Sequence, residues 1–343
     1  MVERKNIAKT ACVYVGIIFG AGFASGQEHI TFFLRYGPWG AAGVVLAAAA
    51  MALCGWAVLD ICVRRRVASY KDFMALVFGP RLGSVLDIVT GMFIFVVFSA
   101  MLAGTGALGQ QLIGINFTAG VVIVAILTLA VLLFDLKGMV RLNILISPIL
   151  VLGALAMGLL AIFSAHTPAF AIRSHISFWP ASALIYAAYN MITAAAVLSA
   201  LPGLVTTRRQ AKWGAITGGA VLGIIGLVLC LAMFGNLAAV QNVQLPMLAL
   251  AANHGDTIEA AYGLLLFLAI FTTAVTSGFS LTGWLAARTG LPNLRIKIAL
   301  TALGIAAAHA GFSTIVENAY GFFGFLGLFV MVVIVIHFVS ERA

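Results

Sequence analysis

Charge is what this chain has least of. Charged residues make up 8% of its 343 positions and apolar residues 63%. A soluble domain carries about a quarter of its residues as charge, so a chain that folds in water is excluded. Acids are scarcer than bases, ten against nineteen Lys and Arg, so an acid inside an apolar run needs a reason. The four cysteines, Cys12, Cys54, Cys62 and Cys230, lie in or beside apolar runs without metal-ligand spacing. They are expected as small buried hydrophobes. The sequence offers no nucleophile-and-base pair, metal cluster or phosphate loop, so a membrane enzyme ranks last and no cofactor is expected.

What is present is a series of apolar segments: 7–35, 38–62, 84–112, 118–135, 140–164, 176–203, 212–236, 256–287, 294–309 and 313–339. A transmembrane helix needs about 20 such residues. The ten account for nearly the whole chain, so one transmembrane domain is expected. The basic start, MVERKNIAK, resembles a signal peptide, but no small-residue cleavage site precedes a mature domain.

The loops sort by charge. Seventeen of the nineteen basic residues fall on the side of the N-terminus, and only Arg35 and Arg173 fall opposite. Cytoplasmic loops are enriched in Lys and Arg, so both termini are expected in the cytoplasm. The net charge of +9 therefore reports topology rather than a nucleic-acid partner. The expected partners are the lipid bilayer and a small-molecule substrate, with no obligate protein partner evident.

An internal repeat is also readable. The stretches SYKDFMALVFGPRLGSVLDIV (69–89) and NVQLPMLALAANHGDTIEAAY (242–262) each carry a short apolar run, a glycine (Gly83, Gly255) and an acid four residues later (Asp87, Glu259). Both pairs are offset by 172. Five helices per half would invert the second half across the membrane. The expectation is an all-α integral membrane protein of ten transmembrane helices in two inverted five-helix repeats, 7–164 and 176–339.

The first segment contains GAGFASGQEHITFF (20–33), with three glycines in seven residues and then Gln27, Glu28 and His29. Gly20, Gly22 and Gly26 permit a break in the helix, and a break in lipid is tolerable where it lines a polar cavity or meets a ligand. In the sixth segment no glycine stands at the corresponding place. Asn190, beside Tyr189, is the candidate for a second break, against the alternative that it bonds a neighbouring helix. Helices 1 and 6 are therefore expected to be interrupted.

GIIFGAGFASGQE (16–28) resembles the broken first helix of the amino acid–polyamine–organocation superfamily, whose LeuT-type fold has ten helices in two inverted repeats. GAGFASGQE together with YN in the sixth segment is similar to the YkvI-like bacterial membrane proteins, which have no assigned substrate. The resemblance implies a bacterial inner membrane location. It implies that the carbonyls of Gly16 and Phe19 face a sodium ion, with Thr273, Thr276 and Ser277 of the eighth segment. It also implies that the amides of Ala21 and Gly22 hold a substrate carboxylate. Independently, Thr273, Thr276 and Ser277 lie at i, i+3 and i+4 on one helix face. Sodium, a hard cation like calcium, takes oxygen ligands. The alternative is that these hydroxyls bond back to their own helix.

Glu28 has three readings. Ser25-x-x-Glu28 forms a capping box, the carboxylate contacts an amine of the substrate, or an acid held away from water carries a proton during transport. The expected substrate contacts are Gly20, Ala21, Gly22, Ser25, Gln27, Glu28, Tyr189 and Asn190. The expected function is secondary transport of a small amino-acid-like or amine metabolite by alternating access, coupled to sodium. A proton-coupled transporter using Glu28 is one alternative and a ligand receptor of the same fold is another. The resemblance implies that segments 1, 2, 6 and 7 move against 3, 4, 8 and 9. Asp60 and Glu317 are expected as interfacial residues.

Overall fold

A computed structural model describes residues 2–67, 69–133, 137–165, 178–199 and 205–342, leaving aside the side chains of 2, 137–145 and 147. The first segment is split into α1 (Val2–Ile18), α2 (Ala21–Ser25) and α3 (Gln27–Phe32), followed by a 3-10 turn at Leu34–Tyr36. Then come α4 (Pro38–Arg65), α5 (Tyr70–Ile113), α6 (Phe117–Leu133), α7 (Lys137–Phe163), α8 (Trp179–Leu198) and α9 (Arg208–Phe234). Two short helices, α10 (Leu237–Val240) and α11 (Pro246–Ala252), lead to α12 (Asp256–Thr289) and α13 (Asn293–Ala308). The last segment runs from α14 (Phe312–Thr314) through a π-helical turn at Ile315–Tyr320 into α15 (Gly321–Ser340).

Outside the breaks at 19–20 and 26 and a few turn residues near segment ends, the described parts of the ten apolar segments fall on helix. Among the described residues, six stretches are long and apolar enough to cross a membrane: α4, α5, α8, α9, α12 and Phe312–Ser340. The segment ends at 134–135, 176–177 and 200–203 lie outside the described residues, as do Arg173 and the side chains of Lys137 and Arg141.

The packing divides into two groups. In one, α4 lies on α8 and α9, and α1 lies on α9 and α8. In the other, α5 packs on α6, α12 and α13, and α6 and α13 also touch. Small residues let the first group close up: a Cβ on Gly219 of α9 would stand 2.6 Å from Ala52 Cβ of α4.

The repeat motif has a conformational counterpart, but at a different glycine. Gly79 interrupts α5 with φ 77° and ψ 165°, and Gly255 precedes α12 with φ 102° and ψ 160°. Both sit between a short helix and a long one, in backbone that glycine alone adopts readily. Gly83, paired with Gly255 by spacing, is instead a packing glycine whose Cβ would meet Met74 O at 2.9 Å.

Asp60, near the end of α4, is enclosed by cations rather than open to solvent. Its side chain is 0% exposed and takes Arg64 at 2.7 Å, Arg208 at 3.1 Å and Arg342 at 2.9 Å. Glu341 adds pairs to Arg64 and Arg65 at 2.9 and 2.6 Å. The Arg342 guanidinium also lies 4.6 Å from the Trp56 ring centre and 4.1 Å from that of Phe338. The ends of α4 and α15 and the start of α9 are thereby tied together, and Arg209 pairs with Glu3 at 3.5 Å nearby in sequence. At the far end of the chain's helices, Arg35 pairs with Glu317 at 3.3 Å, and both are half exposed, as an interfacial pair should be. Cysteine burial is mixed: Cys54 and Cys230 are buried and Cys62 partly so, whereas Cys12 is exposed on α1.

Removing the Asp60 charge strands the guanidinium groups of Arg208 and Arg342, which still reach water, and leaves Arg64 with Glu341 alone. Asp60→Asn should destabilise by about 2 kcal/mol, read as a lowered Tm of the purified protein in detergent. An unchanged Tm would show that the cluster is screened and structurally idle.

Candidate functional site

The site begins with a helix that cannot continue. Phe19 N still bonds Val15 O at 2.7 Å, but Gly20 N turns to Ile18 O at 2.8 Å. Gly16 O thereby loses its helical donor. Helix resumes at Ala21, with Ala24 N on Gly20 O at 3.0 Å. It stops again at Gly26, which has φ 83° and is packed against Met233 and Met247. A side chain there is strained and has no room.

Carbonyls freed by these breaks are met from other helices. Tyr262 of α12 donates to Ala24 O at 2.6 Å, and Ser182 of α8 donates to Phe32 O at 2.8 Å. Ser25 serves the break locally, donating to Gly22 O at 3.0 Å and accepting from Gln27 N at 3.3 Å. The expected capping box is not formed. Gly26 is the N-cap of α3 and makes no side-chain cap, and the Glu28 side chain turns away from the Ser25 amide toward Gly22. A Cβ on Gly22 would overlap the Glu28 carboxyl, at 2.7 Å from Cδ.

Glu28 is 6% exposed. Among the described residues it joins no ion pair. The phenols of Tyr186 and Tyr189 stand beside its carboxyl, with Tyr320 in the same electrostatic neighbourhood. Yet Glu28 Oε2 and the Tyr186 and Tyr189 hydroxyls are buried with no partner in hydrogen-bond geometry. The rings interlock: Tyr186 and Tyr189 are 5.4 Å apart, Phe32 lies 5.6 and 5.4 Å from them, and Tyr189 is 5.1 Å from Tyr320 and 5.9 Å from Phe93. Buried polar atoms are normally satisfied, so a buried acid whose neighbours are two poorly aligned tyrosine hydroxyls marks the place. His29 packs among Phe23, Phe33 and Tyr186 beside a cavity of about 10 Å³, and Gln27 Oε1 is a further buried orphan.

Helix 6 is not interrupted where the sequence suggested. α8 is continuous through Asn190, whose amide donates to Tyr186 O at 3.0 Å, while Thr193 donates to Asn190 O at 3.0 Å. The alanine-rich sequence favours helix, and the i−4 carbonyl satisfies the amide. The structure thus brings Gly22, Glu28 and Tyr189 together and leaves Asn190 bonded to its own helix. Tyr186, Phe32, Phe93 and Tyr320 were missed. Tyr186 and Tyr189 are two of only seven tyrosines, spaced i, i+3 in one span, which was a readable signal.

The hydroxyl face of α12 meets the first break. A Cβ on Gly20 would lie 3.6 Å from Thr273 Oγ1. Thr273 donates to Ala269 O at 2.7 Å and Thr276 to Thr272 O at 2.8 Å. Ser277 is buried and Thr276 exposed. The exposed line Thr276, Ser280, Gly283 and Ala287 is small and partly polar. On α1, Ala8 and Cys12 are exposed and Gly16 half-buried, as is Gly20 in the break that follows. Exposed faces elsewhere carry large apolar groups such as Phe322, Phe325 and Phe329.

No family model matches the chain. It is 27% identical over 331 residues to the uncharacterized membrane protein YkvI of Bacillus subtilis, covering 95% of this chain and 94% of that one. It is 25% identical over 330 residues to the uncharacterized protein YyaD of the same organism, covering 96% of each. Among solved structures it is similar to MhsT in complex with L-phenylalanine (TM-score 0.70, 14% identity, 96% of this chain and 88% of that chain). It is similar to the Eremococcus coleocola manganese transporter (TM-score 0.63, 16% identity, 96% and 78%). It is also similar to a Na+-coupled sialic acid symporter (TM-score 0.60, 14% identity, 94% and 77%). The chain is a membrane protein of LeuT-type fold, similar to YkvI over nearly its whole length.

The Tyr262 bond satisfies a carbonyl that a regular helix would have paired. Tyr262→Phe leaves Ala24 O unmet and should destabilise by about 1–3 kcal/mol, measured as the Tm difference in detergent. An unchanged Tm would mean that the break finds another donor.

Proposed function

We propose that this protein is a secondary active transporter of a small amino-acid-like or amine metabolite, working by alternating access and driven by sodium. The observation that carries the reading is the buried Glu28 carboxyl at a doubly broken first helix, faced by Tyr186 and Tyr189 of α8 and, among the described residues, joined to no cation. An intramembrane acid is a functional group by default. Its solved fold neighbours include proteins named as a manganese transporter and a Na+-coupled symporter, which favours transport over reception. Manganese is not adopted as the substrate, since among the described residues no three His, Cys, Asp or Glu gather.

In this reading the chain crosses the plasma membrane of a bacterium ten times, as one domain of two inverted halves with both termini cytoplasmic. The group α1, α4, α8 and α9 moves against α5, α6, α12 and α13, a division that the packing supports. The small exposed faces of α1 and α12 line the inner aqueous path, and the Asp60 cluster lies at that same inner end. Sodium is held where α1 stops, by the carbonyls of Gly16 and Phe19 with Thr273, Thr276 and Ser277. A second reading, proton coupling at Glu28, is favoured by one observation: among the described residues no cation pairs with that acid.

Uptake into proteoliposomes tests the proposal. A sodium gradient should drive accumulation of an amine substrate, and Thr276→Ala and Ser277→Ala should cut the sodium-stimulated rate about tenfold or more by removing ligands. Accumulation driven equally by a proton gradient in potassium would overturn the sodium assignment. Glu28→Gln should abolish uptake, and normal uptake by that variant would eliminate both charge roles. Cys12, the exposed cysteine on the small-residue face of α1 that lines the inner path in this reading, should react with a membrane-impermeant maleimide in inside-out vesicles and not in right-side-out ones. The reverse would invert the topology.

A further inference from the structure

The Glu28 carboxyl fills the face of Gly22. Gly22 is also one of the two residues whose amides the sodium-coupled pattern assigns to a substrate carboxylate. We propose that the substrate is a primary ammonium ion with no carboxylate beside it, an amine rather than an α-amino acid, held by Glu28 inside the ring of Phe32, Phe93, Tyr186, Tyr189 and Tyr320. The inference deepens the transport reading and rests on the same site.

Three observations carry it. First, the carboxyl is packed so closely on Gly22 that a Cβ there would collide with it. A substrate carboxylate at the Gly22 amide would lie against a second negative charge in a water-poor site, where like charges are strongly disfavoured. Second, the polar groups suit a donor-rich cation. The Glu28 carboxylate and the oxygens of the Tyr186 and Tyr189 hydroxyls beside it are buried acceptors, and an ammonium group offers three N–H donors. Among the described residues no Lys or Arg fills that role. Third, the walls are aromatic, with neighbouring ring centres 5.1–5.9 Å apart. Ring faces attract a desolvated cation. The side chains close on one another in this conformation, so the rings of α3 and α8 must part to admit the ligand.

The test uses compounds that differ by one carboxylate: phenylethylamine against phenylalanine, cadaverine against lysine, and agmatine against arginine, with tetramethylammonium as a cation lacking donors. Purified full-length protein in detergent is titrated with each, in sodium and in potassium, and the shift in Tm is converted to an apparent Kd by mass action. At least one amine should bind about 100-fold more tightly than its amino acid, and more tightly than tetramethylammonium. Glu28→Gln should erase the amine shift. Tyr189→Phe, which keeps the ring and is the milder change, should weaken the primary amine about tenfold and leave tetramethylammonium unchanged.

An amino acid that binds as well as its amine overturns the proposal. So does a stronger response to tetramethylammonium, an amine shift that survives Glu28→Gln, or no shift with any compound at 10 mM, roughly the weakest affinity worth calling a site. Proteoliposome uptake separates the two readings. Amine binding without uptake leaves the ligand class standing and removes transport, whereas uptake of amino acids alone keeps transport and removes the class.

Discussion

Backbone that leaves the helix inside a membrane must find partners for its amides and carbonyls within the protein. Most of what is distinctive here follows from that requirement. The first helix stops at Phe19–Gly20 and again at Gly26. Tyr262 and Ser182 then reach in from α12 and α8 to the carbonyls of Ala24 and Phe32. The break is thereby pinned to both packing groups, one that holds α8 and one that holds α12. A segment tied to two bodies is where a relative motion of those bodies would be felt.

The same break places Glu28. Because Gly26 reverses the backbone and Gly22 has no side chain, the carboxyl folds back onto the first turn of α2 instead of capping α3. It is then enclosed by aromatic rings that keep out water and supply no positive charge. An acid so placed is costly unless something completes it, and the proposed ammonium ligand would do so. The arginine-rich cluster on Asp60 works differently. There the charges are already paired, and the outcome is a tie between helix ends and not a binding site.

The sequence made the break legible, since three glycines and an acid in an apolar run admit few structural explanations. The all-helical character of the chain also followed from hydropathy, and the division into two packing groups from the resemblance. What was not legible had physical reasons. Ser25 and Glu28 have the spacing of a capping box, but the left-handed Gly26 between them redirects both side chains. Asn190 looked like a helix breaker, yet its amide is satisfied one turn back. Gly83 and Gly255 matched by spacing while Gly79 and Gly255 match by conformation, because a glycine serves packing at one place and backbone reversal at another. The enclosure of Asp60 was not legible because two of its three arginine partners come from segments 148 and 282 residues away. Tyr320 and Phe93 joined the site from other segments that no local pattern connects.

The central claim is that the ligand is held at the break by Glu28. It is tested most directly by the experimental density of the protein in lipid nanodiscs with saturating phenylethylamine, at a resolution that separates side chains. The account predicts the amine nitrogen about 3 Å from a Glu28 oxygen, with the rings of Tyr186 and Tyr189 around it and the break at Phe19–Gly20 retained. A regular helix through residues 16–28, or the amine bound elsewhere with Glu28 still enclosed by its tyrosines, would contradict it.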